Sequence, residues 1–256
     1  MIAWLLRGLR KGVVTTRYPA RPEAVPDGLR GRIAVIDDQG ADVGVSDLCP
    51  TGAILIDDGR VNIDRGRCIL CGLCVAREPS RFAFEAVHET AARHRDALWV
   101  HPISGSGDGD TRATLADQAR ALRRSVHIRH VDAGSDGSEE WEIAALTNPY
   151  YDMQRLGLFF TAAPRHADIL LVTGVVTESM QTPLLRTWEV MPEPKVVVAV
   201  GTDACSGGLA TQSIAAGGVS AVLPVDVFVP GSPPTPIAIL HGLLLAVGLL
   251  QDGAAQ

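Results

Sequence analysis

The chain opens on an amphipathic pattern. Ile2, Leu5, Leu6 and Leu9 recur at helical spacing with Arg7, Arg10 and Lys11 among them, which predicts a helix over Ile2–Lys11. An extended arm, Tyr18-Pro19-Ala20-Arg21-Pro22, follows. Short apolar runs then predict strands at Ile33–Ile36, Ala53–Asp57 and Arg60–Asp64. Residues 88–124 carry the least pattern: Ser104–Asp110 reads as a flexible Gly/Ser/Asp linker and Thr111–Arg124 as a helix of good propensity. From Ser125 strands and helices alternate. Strands are predicted at Val126–Val131, Asp168–Val172, Lys195–Val200 and Val219–Leu223. Helices are predicted at Trp141–Leu146, Asp152–Thr161, Glu178–Glu189 and Gly207–Ala216. A last one covers Pro236–Leu250, with Pro236 in the first turn, where its missing N–H costs little. This alternation predicts a doubly wound, mostly parallel α/β sheet of the flavodoxin-like kind. Sites in such sheets lie in loops beyond the C-terminal ends of the strands, here Asp132–Glu140, Gly174–Thr177, Gly201–Ser206 and Pro224–Pro234.

Charge changes the reading of the first element. Arg7, Arg10, Lys11, Arg17, Arg21, Arg30 and Arg32 face only Glu23 and Asp27 within residues 1–32, although the whole chain carries a net charge of −6. A basic amphipathic start on an acidic body points to contact with an anionic membrane surface or an acidic partner, against the plain alternative of a solvated terminus. The acidic body argues against nucleic acid. The apolar stretch Ile237–Leu250 is too short for a membrane span and is interrupted by His241, and the N-terminus has no secretory signal pattern. The expected location is therefore the cytoplasmic face of the cell membrane, peripherally bound.

Five cysteines carry the chemistry. Cys68, Cys71 and Cys74 form C-x2-C-x2-C, and Cys49 is followed by Pro50. Bacterial ferredoxins use runs of C-x2-C-x2-C-x3-C-P in which the fourth Cys ligates the cluster of the other run. On that template the remaining ligands of the first run would fall at Val45, Asp42 and Gln39, and the fourth of the second run at Glu78, before Pro79. One cluster has lost every ligand. The other keeps Cys49, Cys68, Cys71 and Cys74, so one [4Fe–4S] cluster is expected. The alternative, a four-thiolate zinc site, leaves Cys49-Pro50 and Thr51-Gly52-Ala53-Ile54 unexplained. The expected organisation is an amphipathic helix and arm (1–30), an α+β ferredoxin-like domain (31–87), a linker and helix (88–124) and an α/β domain (125–256).

Several stretches resemble a known family. Pro164–Gly174, Met191–Lys195, Ser206-Gly207-Gly208 and Val225–Gly231 resemble the small cluster-binding subunit shared by complex I and group 4 hydrogenases, of the formate hydrogenlyase and hydrogenase-4 type. Residues 1–87, with Gly12, Thr15, Thr16, Tyr18-Pro19 and Leu29-Arg30-Gly31, resemble the ferredoxin-type subunit of the same complexes. The chain thus reads as a fusion of two neighbouring subunits. The resemblance implies a large catalytic-type partner (49 kDa or hydrogenase large-subunit-like) and a membrane anchor related to the complex I H-type subunit. Antiporter-like, ion-translocating subunits are a further implied group of partners.

The small subunit's own cluster uses four cysteines in Gly-Ser-Cys-x-x-Cys-Glu, Gly-x-Cys-Ala and Gly-Cys-Pro-Pro motifs. The matching positions here are Asp136, Glu139, Asp203 and Ser232. Hard oxygen donors do not replace the soft thiolates of a cubane. The set reads as a polar, water-filled remnant, as a proton or ion site, or as a divalent-metal site. Glu140 occupies the position of the family's Glu, which implies a proton relay; its alternative is a helix N-terminal charge. Cys205 lies two residues beyond a ligand position, and the histidines, His88, His94, His127 and His130 among them, show no ligand spacing. The expected function is a non-catalytic scaffold subunit with one N-terminal cluster, extended by analogy to an ion-coupled CO2-hydration or carbon-uptake complex. The alternative is an electron-transfer subunit of an active hydrogenase or quinone oxidoreductase.

Overall fold

A computed structural model describes residues 2–40, 43–101, 125–210 and 215–250. The expected Ser104–Asp110 linker, the Thr111–Arg124 helix and part of the Gly207–Ala216 helix lie outside them.

Helix α1 covers Ile2–Lys11 as the apolar spacing requires. Its Trp4 is 79% exposed, and Leu5, Leu6 and Leu9 are also open to solvent. The arm that follows is anchored rather than free. Tyr18 is buried and its hydroxyl donates to Glu89 at 3.0 Å, while the Thr16 N–H donates to the Tyr150 carbonyl at 2.8 Å.

Residues 32–101 build a small unit of two antiparallel pairs. Strand β1 (Arg32–Val35) pairs with β4 (Phe82–Glu85), and β2 (Ile54–Asp57) with β3 (Arg60–Ile63). A five-residue helix, α2 (Leu73–Arg77), starts between Cys71 and Cys74. Ile33, Ile54, Val61, Ile63 and Phe82 form its core, with Cys49, Cys68 and Cys74 packed against them. Val45, where the ferredoxin template would place a ligand, is buried in that core.

The second unit is a five-stranded, wholly parallel sheet: β5 (Val126–Asp132), β6 (Leu158–Phe160), β7 (Ile169–Thr173), β8 (Val196–Val200) and β9 (Val227–Val229), in the order β6-β5-β7-β8-β9. This is the flavodoxin-like order, with the switch point between β5 and β7. β7 and β8 are buried along their whole length, as parallel strands covered on both faces must be. One face carries α3 (Ser138–Ala145) and α6 (Pro236–Ala246); the other carries α4 (Glu178–Glu189) and the short α5 (Thr202–Ser206). α6 is buried on every side, and Gly242 lets it approach β9, since a Cβ there would stand 2.3 Å from Val229.

Four expectations are corrected. Asp152–Thr161 is not a helix: a 3-10 turn, Met153–Leu156, ends at Gly157 in the left-handed region, and the edge strand β6 follows. Val219–Leu223 is not a strand: Val219–Ala221 is a 3-10 turn behind Gly217 and Gly218, both at positive φ, and the strand is Val227–Val229. The helix expected from Gly207 instead covers Thr202–Ser206 and stops at Gly207, whose left-handed φ ends it. The helix expected at Trp141 starts earlier, at Ser138, placing Glu139 and Glu140 in its first turn.

The units are stitched together. Ala92 extends the sheet beside β9, exchanging backbone hydrogen bonds of 2.9 and 2.8 Å with Phe228. The Arg93 guanidinium donates to the Leu245 and Leu250 carbonyls at the C-terminal end of α6.

Candidate functional site

Cys49, Cys68, Cys71 and Cys74 line one hollow, walled by Ile54 and Ile63 among other apolar side chains. Cys49 precedes the tight turn at Gly52, and its sulfur accepts the Ala53 N–H at 3.2 Å and lies 3.3 Å from the Thr51 hydroxyl. Cys68 and Cys71 come from the loop before α2, and Cys74 from the first turn of that helix. Leu70 (φ 54°) and Gly72 (φ 79°) both take the left-handed conformation, which strains a leucine. Gly72 is required here, because a Cβ would stand 2.8 Å from the Phe84 ring. Cys71 is exposed; the other three are partly buried. Burial, with smaller contributions from the neighbouring thiols, pushes Cys68 up to about 12, and burial also raises Cys74. Among the described residues no three His, Cys, Asp or Glu side chains close on a single metal ion.

The second group lies at the C-terminal ends of β5, β8 and β9. Asp136 and Ser232 are exposed, Asp203 is half-buried and Glu139 is only 2% exposed. These residues do not converge as a metal-ion site. Instead the Glu139 carboxyl occupies the space a side chain on Gly201 would need, 2.4 Å from such a Cβ. The Ser138 hydroxyl donates to Glu139 at 3.2 Å, and the Ser138 N–H donates to Asp136 at 2.9 Å. Burial, reinforced by Asp136 and Asp203, lifts Glu139 to about 7, whereas the Ser138 hydrogen bonds hold Asp136 below the usual range. Burial also raises Asp203.

This sets a pH dependence of stability. The folded-state value for Glu139, about 7, exceeds the ordinary 4.5. Its share of stability is complete below the lower value and is lost as pH rises through the higher one. Glu139→Gln is expected to gain about 1–2 kcal/mol over the native chain between about pH 5 and 8, after allowance for solvent screening. Urea unfolding at the two pH values measures this; an equal response in both chains contradicts it.

Glu140 points elsewhere. Thr173 donates to it at 2.5 Å and Ser135 at 2.8 Å, and His130 Nε2 stands 3.0 Å from the Thr173 hydroxyl. Thr173 directs its proton to Glu140, so neutral His130 carries its own on Nε2. Burial lowers the His130 value against the opposing pull of Glu140. The network lies on a broad surface cavity lined by Arg129, Thr147 and Phe160. His130 has no motif to mark it in the sequence. Cys205 is buried in the opposite core, away from the thiol hollow, with its sulfur directed at the Ala199 carbonyl.

A doubly wound sheet with polar loops at its switch point defines a broad class of α/β domains. Sequence comparison narrows it: residues 137–246 match the family described as NADH ubiquinone oxidoreductase, 20 kDa subunit. The chain is 39% identical over 159 residues to formate hydrogenlyase subunit 7 of Escherichia coli, covering 62% of each. It is 41% identical to the "Probable membrane-bound hydrogenase subunit mbhJ" of Pyrococcus furiosus, over 52% of this chain and 80% of that one. It is 45% identical to an NADH-quinone oxidoreductase subunit of Citrifermentans bemidjiense, over 45% of this chain and 65% of that one. The chain belongs to the NADH ubiquinone oxidoreductase 20 kDa subunit family. It spans just under two thirds of the formate hydrogenlyase and NADH-quinone oxidoreductase subunits.

Proposed function

We propose that this chain is a peripheral subunit of a membrane-bound assembly related to complex I and the group 4 hydrogenases. In this reading it fuses a ferredoxin-type domain (31–87) to a small-subunit domain (125–256), joined by residues 88–124. It holds one [4Fe–4S] cluster on Cys49, Cys68, Cys71 and Cys74. The observation that carries the reading is the single hollow shared by these four thiols. The donor set suits a cubane: four soft sulfurs, apolar walls, and an N–H from Ala53 directed at a ligand sulfur. When bound, such a cluster supplies one-electron transfer and storage. The sulfurs of Cys68 and Cys71, from the loop before α2, and of Cys74, from its first turn, would hold it together with that of Cys49.

The sheet domain acts as a scaffold in this proposal. Asp136, Glu139, Asp203 and Ser232 stand where the family resemblance places cluster cysteines, and oxygen donors do not bind a cubane. The exposed Trp141 beside the Glu140 network marks the face for a large catalytic-type subunit. The basic, apolar face of α1 suits the membrane surface beside an H-type anchor. Antiporter-like subunits and a CO2-hydration role extend the same reading.

The exposed Cys71 favours a second reading, an electron-transfer subunit of an active hydrogenase or quinone oxidoreductase. The test is purification of the intact complex from its host, with iron and sulfide analysis and identification of the other chains. About four iron and four sulfide per chain and a large subunit without nickel-binding cysteine pairs are expected. Eight of each, or none, overturns the cluster assignment; a nickel-containing large subunit selects the second reading.

A further inference from the structure

A small cavity lies beside Cys68, where the two units meet. Arg32, Arg65, Cys68 and Thr90 line it from the smaller unit, and Pro230 and Gly231, just after β9, from the sheet unit. The Thr202 hydroxyl fastens the seam, sharing its proton between the carbonyls of Cys68, at 3.0 Å, and Gly231, at 3.1 Å. The free space is about 10 Å³, the room of a single water molecule and too little for a polyatomic anion.

Arg65 is poorly compensated in this setting. Its backbone N–H is fixed to the Leu98 carbonyl at 2.9 Å, yet its buried Nε meets no hydrogen-bond partner, and neither does the buried Thr90 hydroxyl. Among the described residues no carboxylate pairs with Arg65. Glu85 lies within its electrostatic reach, but both Glu85 oxygens are held by Arg32, at 2.5 and 2.7 Å. Asp64, its neighbour in the chain, is taken by Arg95. Burial first, and Arg32 after it, work against the Arg65 charge, whereas Glu85 and Cys68 favour it. A guanidinium does not shed its proton to escape such a place. The seam therefore carries a surplus of positive charge next to a ligand thiol.

A cation in poorly solvated surroundings is costly until an opposite charge completes it. Four thiolates around an iron–sulfur cubane make a net anion, and reduction adds one further negative charge. Cys68 is one of those thiolates in the cluster assignment proposed above, on which this inference rests.

We propose that Arg65 is a counter-charge to the cluster held by Cys49, Cys68, Cys71 and Cys74, and that it raises that cluster's reduction potential. One electron leaves a low-potential one-electron donor, which is oxidised, and enters the cluster, which is reduced. No proton moves, and no bond to iron is made or broken. The Arg65 cation attracts the more negative, reduced state more strongly, and that difference is the gain in electron affinity. Arginine stays charged across the neutral range, so its contribution does not change with pH.

The test is a redox titration of the cluster in the intact complex, followed by electron paramagnetic resonance, with iron assayed in every variant. Arg65→Gln is expected to weaken electron affinity about tenfold, a fall of about 59 mV in midpoint potential. The fall should be equal at about pH 6 and about pH 8, because no proton is involved. Arg65→Lys keeps the charge and should retain most of the native potential. Thr90→Val alters the same cavity without touching a charge and should leave the potential unchanged. A native complex without a cluster overturns the parent reading and this inference with it. An unchanged potential in Arg65→Gln, or an equal fall in Arg65→Lys or Thr90→Val, overturns the counter-charge alone. If Arg65→Gln loses its iron, retention in Arg65→Lys supports the charge role, and loss there too refutes it.

Discussion

Cys74→Ser is expected to yield a chain with little or no bound iron and without the visible absorbance of an iron–sulfur centre. Cys74 supplies one of four sulfurs at the hollow and packs against the core formed by Ile33, Ile54 and Phe82. A hydroxyl is a hard, poorly acidic donor, and a cubane held by three thiolates is labile. The loss should extend to stability, because ligand binding to the folded state alone adds to its free energy. Cys205→Ser provides the contrast. Its thiol is buried in the other core, so iron content should match the native chain. Iron and sulfide assays on both variants decide the matter. Full iron in Cys74→Ser, or loss of iron in Cys205→Ser, refutes the ligand assignment.

Asp64→Ala is expected to destabilise the chain by about 3–5 kcal/mol, the usual cost of leaving a buried charge unpaired. The Asp64 side chain is only 3% exposed and takes both ends of the Arg95 guanidinium, at 2.7 and 2.5 Å. It also accepts the Gly66 N–H at 2.9 Å. Its removal strands Arg95 against Gly66, where a Cβ would stand 2.8 Å from the guanidinium carbon. The pair ties residues 95–101 to the β2–β3 hairpin just before the loop that carries Cys68. Arg65 N–H to Leu98 and Val100 N–H to Ile63 complete that tie. Urea unfolding measures the loss, and a second Arg95→Met substitution should recover much of it by removing the stranded charge. A loss below about 1 kcal/mol would show that the pair contributes little.

What the sequence discloses depends on how local the cause is. α1 and α4 fall where their spacing places them, Ile2–Lys11 and Glu178–Glu189, because helical periodicity is contained within the segment. The continuous apolar runs of β7 and β8 are equally legible as fully covered strands. The edge strands are not. Leu158–Phe160 and Val227–Val229 have three residues each, too few to display alternation, and the neighbouring sheet decides their state. β4 is no more legible, since its partner is β1, far away in the chain.

The candidate site divides the same way. Thiol spacing is a local signal, and the four cysteines line one hollow, although among the described residues no three such side chains close on a single metal ion. The burial of Glu139 is not local. It depends on the absent side chain of Gly201 from another strand end, and nothing in Gly134–Glu140 foretells it. His130 joins Glu140 only because β5 and β7 lie side by side, with Thr173 between the two side chains.

The backbone exchange between Ala92 and Phe228 has a consequence for how the two halves can be handled. A sheet margin left bare invites other chains to dock along it and seeds aggregates. Here a segment from outside the sheet partly covers that margin, at β9. Cutting the polypeptide between its halves would uncover it, so the sheet half made alone should be prone to precipitate, and tethering the two in one chain keeps the cover in place.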